Sequence, residues 1–337
     1  MSYIGNFLPA DTSLLTSDAL INGITVGRGS GGVSTNTVVG SGALGLNSTG
    51  ANNTCYGYNA GINLTTGSNN TILGAITGTA GLSDTVIIGA GSTERFRIDS
   101  SGRILVGTST GRSNFFNTTL SSGFQVEGTG GSTTRGALSV INNDSSNNPP
   151  YVLLGKSGAA TLNSNTLVSS NSRLGTVNFQ GTDGTDFVEA ATVAGEVDGT
   201  PAANDMPGRL IFSTTLSGSA SPTERLRIDS NGFASYTGTI GRGAPVTKTG
   251  NFTLGIAENW VVCSGTASIT ATLPTASAWT GREIMIKTTA AFTVVSASAN
   301  VVPLTGVSAS TAILAATAGK FATLVSNGTN WIIMQAN

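Results

Sequence analysis

Between residues 36 and 89 one short pattern returns at a near-fixed interval, and this constrains the fold more than any other feature. Asn36-Thr37-Val38-Val39-Gly40 recurs as Asn53-Thr54-Cys55-Tyr56-Gly57 and again as Asn70-Thr71-Ile72-Leu73-Gly74, each time 17 residues on. A shorter step of 14 then leads to Asp84-Thr85-Val86-Ile87, closing on Ile88-Gly89. Gly, Asn, Ser and Thr fill the intervals. A fixed period with a short apolar core and a turn-rich remainder predicts a β-solenoid or β-roll. Each repeat would be one rung that cannot bury its apolar face alone.

Side chains alternate along a strand, so Val38, Cys55 and Ile72 face one way and Val39, Tyr56 and Leu73 the other. Both columns are apolar, whereas a free solenoid needs only its inner face dry. One column is therefore expected inside the coil and the other against neighbouring chains, as in a parallel homotrimer. The other reading is a single wide sheet covered by later parts of the same chain. Asn36, Asn53 and Asn70 align as a stacked amide ladder.

The N-T-x-x-G pattern, followed by G-A-L or N-A-G with T-G-x-N-N between, resembles repeats of bacteriophage tail fibres. It is also similar to the heads of trimeric autotransporter adhesins, which form a parallel β-roll. An autotransporter would carry a secretory signal and a C-terminal membrane anchor. Residues 1–9 show neither a charged region nor a continuous apolar core, and no run of about 18 apolar residues occurs. The fibre is thus the closer resemblance.

Composition agrees. Charged residues make up 10% of the 337, glycines number 46 and histidine is absent, which suits an extended β-rich assembly. A net charge of −1, with no basic patch interleaved with aromatics, gives no footprint for nucleic acid. Cys55 and Cys263 lie far apart in apolar strand contexts and read as free buried thiols, consistent with assembly in a reducing cytoplasm.

A second signature follows the repeat. Thr93-Glu94-Arg95-Phe96-Arg97-Ile98-Asp99-Ser100-Ser101-Gly102 recurs as Thr223-Glu224-Arg225-Leu226-Arg227-Ile228-Asp229-Ser230-Asn231-Gly232. Strict alternation puts Phe96 and Ile98 on a dry face and Arg95, Arg97 and Asp99 on an ionic one. Asp-Ser-x-Gly is then a turn with Asp capping the backbone. The ionic face is either solvated or paired between subunits. T-E-R-x-R-I-D-S-x-G looks like the element that closes repeat modules in phage tail fibres and tailspikes, and 174–181 and 204–212 are similar to segments of such fibres. In many relatives a self-cleaving endosialidase-type chaperone follows the motif. Here about 95 residues of short strands follow instead.

The expected organisation is all-β: a virion-attachment segment (1–22), the solenoid (23–110), a central β domain (111–242) and a C-terminal sandwich or jelly-roll-like domain (243–337). Central strands are expected at 124–126, 137–141, 152–154, 176–179 and 210–213. In the last domain they fall at 260–263, 269–273, 284–287, 292–296, 312–315, 321–325 and 330–334, with a hairpin at Asn327-Gly328.

Two groups of residues carry candidate chemistry. Asp183, Asp186, Glu189, Glu196, Asp198 and Asp205 form an acidic cluster. A carboxylate pair among them would suit a glycoside hydrolase, and Asp183-Gly184-Thr185-Asp186 offers oxygens to Ca²⁺. Neither spacing matches a standard motif, so solvated loop acids are the expectation, with no catalytic residue, metal or cofactor. In the last domain, Trp260 and Trp331 lie in strand patterns and are expected in the core. Trp279 sits in a loop-like stretch beside Arg282, and with the hairpin-tip residues Asn327 and Thr329 forms the expected receptor-binding set.

The resemblance implies a structural tail-fibre protein of the virion: a homotrimer docked to a tail, baseplate or adaptor protein by its N-terminus and binding a host glycan or protein, without membrane insertion. The alternative is a tailspike depolymerase using two of the acids. A hexapeptide-repeat acyltransferase, with a period of about 18, normally uses a histidine. An ice-binding solenoid needs paired Thr columns, and here Thr37, Thr54 and Thr71 stand alone.

Overall fold

The computed structural model describes residues 18–118, 120–128 and 136–337, so most of the expected attachment segment lies outside the described residues. The chain divides into two units, Met1–Thr237 and Gly238–Asn337. Both are all-β, and one 3-10 turn, Ala276–Trp279, is the only helical element among the described residues.

The first unit opens with nine strands hydrogen-bonded in chain order: β1 (Ala19–Ile21), β2 (Ile24–Gly27), β3 (Thr37–Val39), β4 (Thr54–Tyr56), β5 (Thr71–Leu73), β6 (Val86–Ala90), β7 (Thr93–Ile98), β8 (Ile104–Val106) and β9 (Phe124–Val126). Strands β3 to β6 run parallel, and Thr37, Thr54 and Thr71 stand opposite one another at the 17-residue interval. The last step corrects the sequence expectation. Thr71 pairs with Val86, a step of 15 rather than 14. Asp84 takes the left-handed φ (+55°) that Asn52 (+56°) and Asn69 (+62°) hold in the preceding turns. It therefore follows Asn69, whose Nδ2 donates to Asp84 Oδ1 at 2.8 Å. Thr85 then follows Asn70.

Buried asparagines lock this register. Asn53 Nδ2 donates to the Gly67 carbonyl at 2.9 Å, while Asn53 Oδ1 accepts the Asn70 N–H (3.1 Å) and Asn70 Nδ2 (2.9 Å). Asn36 Oδ1 accepts the Asn53 N–H, and Asn70 Oδ1 that of Thr85. Every such bond crosses from one turn of chain to the next, so the residue aligns strands while satisfying buried amides. Gly57 closes the strand at φ +136°, and a Cβ there would lie 2.8 Å from the Gly74 carbonyl oxygen of the next turn.

Cross-strand pairing sorts the side chains into rows. Val38, Cys55, Ile72 and Ile87 are fully buried and pack with Leu44, Ala60 and Leu64. The opposite row is Val26, Val39, Tyr56, Leu73, Ile88, Phe96, Val106 and Val126, paired in succession across eight strands. It is apolar throughout yet open to solvent, with Tyr56 60% and Ile88 41% exposed.

A bulge that sequence alternation missed shapes both copies of the second signature. Ile88 pairs with Phe96 but Gly89 with Glu94, so Arg95 is the extra residue. Phe212 and Leu226, then Ser213 and Glu224, repeat the shift at Arg225. One extra residue reverses side-chain parity. Glu94 and Arg97 thus meet on one face in a bidentate pair (2.6 Å for each bond), and Glu224 and Arg227 do the same. Arg97 lies between buried Ile87 and Leu105. The ionic pair therefore occupies the covered face and the apolar row the open one. Asp99 and Asp229 cap their turns as expected, each accepting two backbone N–H groups, and Gly102 and Gly232 take φ near +80°.

An antiparallel sheet follows: β10 (Arg173–Thr182), β11 (Phe187–Val197), β12 (Gly208–Thr214), β13 (Thr223–Ile228) and β14 (Ala234–Tyr236). It repeats the inversion. Thr192, Ala194, Glu196, Ile211 and Ser213 are buried, while Val177, Val193, Phe212, Leu226 and Tyr236 form an apolar row exposed at both ends. The strands expected at 137–141 and 152–154 do not form, because no neighbouring strand among the described residues offers them hydrogen bonds.

In the second unit the expected two layers are present, but the pairing is mixed. Strands β15 (Val246–Lys248), β16 (Phe252–Thr253), β17 (Trp260–Cys263), β18 (Ile269–Thr272), β19 (Glu283–Thr288), β20 (Val294–Ser296), β21 (Val301–Val302) and β22 (Ala312–Leu314) alternate between a six-stranded and a four-stranded sheet. Each return to a sheet comes after a visit to the other, so β15, β17 and β19 are parallel, as are β16, β18 and β20. The hairpin of β23 (Phe321–Ser326) and β24 (Trp331–Ala336) turns at Asn327-Gly328 as expected. Trp331 is fully buried, but Trp260 starts β17 on the outer face and is 37% exposed. This corrects the core assignment of Trp260.

Burial raises the thiol pKa of Cys55 to about 12 and of Cys263 to about 11. Both should resist maleimide at neutral pH in the folded protein and label on unfolding, a difference read by mass spectrometry. Asn53→Leu should cost about 3 kcal/mol in urea unfolding, since it orphans buried backbone groups on two turns.

Candidate functional site

The acids do not assemble into one site. Asp183 and Asp186 sit in the turn before β11, whereas Asp198 and Asp205 lie beyond its far end. An eleven-residue strand separates them, spanning about 35 Å, against the roughly 5–9.5 Å a glycosidase pair requires. Asp183 Oδ1 accepts the Thr185 and Asp186 N–H groups at 2.9 Å, and these bonds lower its pKa. Glu189 accepts from Asn178 Nδ2.

Glu196 and Asp198 are drawn together by a shared arginine, Arg209. The cross-strand triplet Arg173, Glu196 and Arg209 spans β10 to β12. Glu196 contacts Arg173 at 2.9 Å and Arg209 at 2.8 Å. Asp198 contacts Arg209 Nη1 at 3.1 Å and accepts the Ser230 N–H at 2.9 Å. Burial opposes ionisation of Glu196, but the hydrogen bonds from Arg209 and Arg173 outweigh it and lower its pKa. For Asp198 the Ser230 N–H leads, and the pKa is again lowered. Two carboxylates held ionised supply no general acid. Arg173 and Arg209 escaped sequence reading because their meeting with Glu196 depends on strand register. Among the described residues no group of three metal-ligating side chains assembles.

The four expected receptor-binding residues do share one end of the second unit. Ser326 Oγ donates to the Ala276 carbonyl at 2.7 Å and Gly281 N–H to the Ser326 carbonyl at 2.8 Å, tying the 276–282 turn to the hairpin tip. Their roles differ. Trp279 is half-buried against the core, with the Arg282 guanidinium 4.1 Å from its ring centre. Arg282 donates to Asn259 Oδ1 and to the carbonyls of Gly255 and Glu258, and burial lowers its pKa. The pair brackets the 255–259 loop, and Arg282 Nη1 is left without a hydrogen-bond partner. Asn327 Oδ1 caps its own turn, accepting the Thr329 and Asn330 N–H groups. Asn327 and Thr329 remain exposed.

Sequence reasoning also missed a hollow of about 400 Å³ in the first unit, lined by Phe115, Phe116, Leu120, Ser122, Asn178, Gln180 and Phe187. Phe116 and Asn117 adopt left-handed φ of +60° and +52°, uncommon for a bulky aromatic.

Both units are thus all-β. Neither a protein-family model nor a curated protein matches the chain. Among solved structures it is similar to the carboxy-terminal domain of the bacteriophage T5 L-shaped tail fibre, at 17% identity and a TM-score of 0.33. That likeness covers 42% of this chain and 59% of the other. The same fibre domain with its intramolecular chaperone aligns at 16% identity and a TM-score of 0.34, covering 43% of this chain and 41% of that one. The match spans less than two thirds of either structure.

Glu196→Gln should destabilise the protein by roughly 2–3 kcal/mol near neutral pH by unpairing two arginines. Because the folded pKa of Glu196 is lowered, its contribution is present above the ordinary carboxylate pKa and disappears as pH falls through the depressed value. Urea midpoints of wild type and variant should therefore converge under strong acid.

Proposed function

We propose that the chain is a structural, receptor-binding tail-fibre protein of a tailed bacteriophage. Residues 36–89 form a β-solenoid, and three parallel copies pack along their open rows. The observation that carries this reading is the inversion of the first unit: its apolar rows face solvent, while glutamate–arginine pairs occupy the covered faces. A monomer would leave this apolar row open to water, with Val26, Tyr56, Leu73 and Ile88 exposed and the others half-buried, a contiguous exposure that single soluble chains avoid. Three copies related by rotation bury the row against itself. The two sequence signatures supply the link to fibres. In this reading the N-terminal segment docks to a tail, baseplate or adaptor protein, the fibre assembles in the host cytoplasm, and it functions on the virion.

Binding rather than hydrolysis is the proposed activity, supported by the dispersal of the acids and the arginine-bound state of Glu196 and Asp198. A host surface glycan or protein would be met by the C-terminal unit. There Asn327 and Thr329 present polar groups on a hairpin tip tied to the 276–282 turn through Ser326, and three copies would give avidity.

Light scattering should show a trimer at micromolar concentration, and a well-folded wild-type monomer would refute this reading. Tyr56→Asp should weaken association at least about 100-fold by placing a charge in the shared seam, while Thr66→Asp, on an exposed turn, should not. The protein should bind host surface polysaccharide without shortening it. Replacing Asn327 and Thr329 together with Ala should reduce competition with whole phage while leaving the trimer intact.

A further inference from the structure

Residues 137–154 lie in the segment between the two sheets of the first unit, and among the described residues they form a strongly exposed apolar stretch. Leu138 is 73% exposed, Ile141 76%, Val152 71% and Leu153 86%. Among the described residues no backbone hydrogen bond joins 137–154 to any other segment. The middle is nevertheless organised: Asp144 accepts the Ser146 N–H, and Asn142 Nδ2 donates to the Asn148 carbonyl. Two apolar arms therefore flank a polar turn, with backbone groups unpaired on both.

The same chain carries an unpaired acceptor for such an arm. Strand β10 is a sheet edge of ten residues. It contains no proline or lysine, the usual protections of an exposed edge, and Val177 and Phe179 project from it more than half exposed. Within one copy the arm does not reach this edge as a strand. It touches the sheet through Leu154, which lies against the face at Gly175.

The position of the arm identifies its partner. It starts beside the end of β9, with Gly136 against the Val126 carbonyl at the last member of the first open apolar row. It ends with Leu154 against Gly175 of β10, the strand that opens the second such row. We propose that residues 137–154 cross to a neighbouring copy of this chain and pair as a β-strand with the open edge of its β10. This rests on the trimeric reading above. Continuity with both apolar rows points to a second copy, and a net charge of −1 leaves little repulsion between copies. In a three-fold arrangement each arm covers the next copy's β10 edge and the cycle closes, so no β10 edge is left over. Backbone groups left bare in one chain become paired across chains.

Hydrogen exchange and cross-linking on the full chain test this. In the native trimer, amides at 137–141 and 151–154 should exchange at least about 100-fold more slowly than in unstructured peptide, and this protection should vanish in the dissociated Tyr56→Asp protein. Chains carrying only Leu153→Cys, co-assembled with chains carrying only Phe179→Cys, should join through a short bismaleimide into linked pairs on a denaturing gel. Native Cys55 and Cys263 are buried and should not interfere. A trimer whose arm amides exchange freely would overturn the arm and leave the fibre reading standing. So would a trimer in which a Leu153→Cys/Phe179→Cys double variant cross-links only within single chains. A monomer by light scattering would instead remove the reading on which the arm depends.

Discussion

The first unit depends on a hydrogen bond that no strand makes within itself. Strands of three residues are too short to hold their own register, and here a buried asparagine on each turn fixes the next one by bonding its backbone. An apolar residue in that column would fill the space but leave peptide groups unpaired on two levels. The cost of an unsatisfied buried amide is what makes the register obligatory rather than merely preferred, and the shorter last step keeps the same bond from the Thr85 N–H to Asn70 Oδ1. Glycine at the strand end imposes the same spacing sterically, because the following turn passes too close for any side chain.

With register settled, the distribution of polarity follows. The bulge at Arg95 and Arg225 turns glutamate and arginine toward the covered face and leaves Phe96 and Leu226 in line with apolar neighbours. A sheet that buries ions and shows hydrocarbon is badly matched to water as a single chain. Desolvating a paired glutamate and arginine is tolerable where both are hydrogen-bonded, and on the proposed reading the open apolar surface is what three copies share. Glu196, with arginines on two adjacent strands, is the same device in the second sheet.

Much of this was legible in the sequence, for definite reasons. A fixed repeat reports parallel stacking directly, and the Asn-Gly hairpin near residue 328 and the aspartate-capped turns rest on local backbone chemistry, so they appeared where expected. The misses depend on tertiary register. The bulge is invisible to alternation, because one inserted residue leaves composition unchanged. The acids looked clustered only because sequence distance was taken for distance in space; a strand fully extended between them pulls the ends apart. Trp279 looked like a loop tryptophan, but loop residues also form brackets, and its partner Arg282 is held by carbonyls too remote in sequence to suggest it. The strands expected at 137–141 and 152–154 have strand-like composition but lack a partner within one chain.

The duplicated hairpin has a consequence for how such a chain can change over generations. Its bulged residue, its ion pair and its capped turn all fall within about ten residues, and it serves one sheet whose pairings are half parallel and half antiparallel and closes another that is antiparallel throughout. An element whose ion pair and turn are local is a natural crossover point for recombination: genetic exchange within the sequence encoding it would deliver a new downstream module with those local bonds intact. Two near-identical copies give two such junctions, so the sheet between them or the unit beyond them can be traded separately while the strands before them are inherited unaltered.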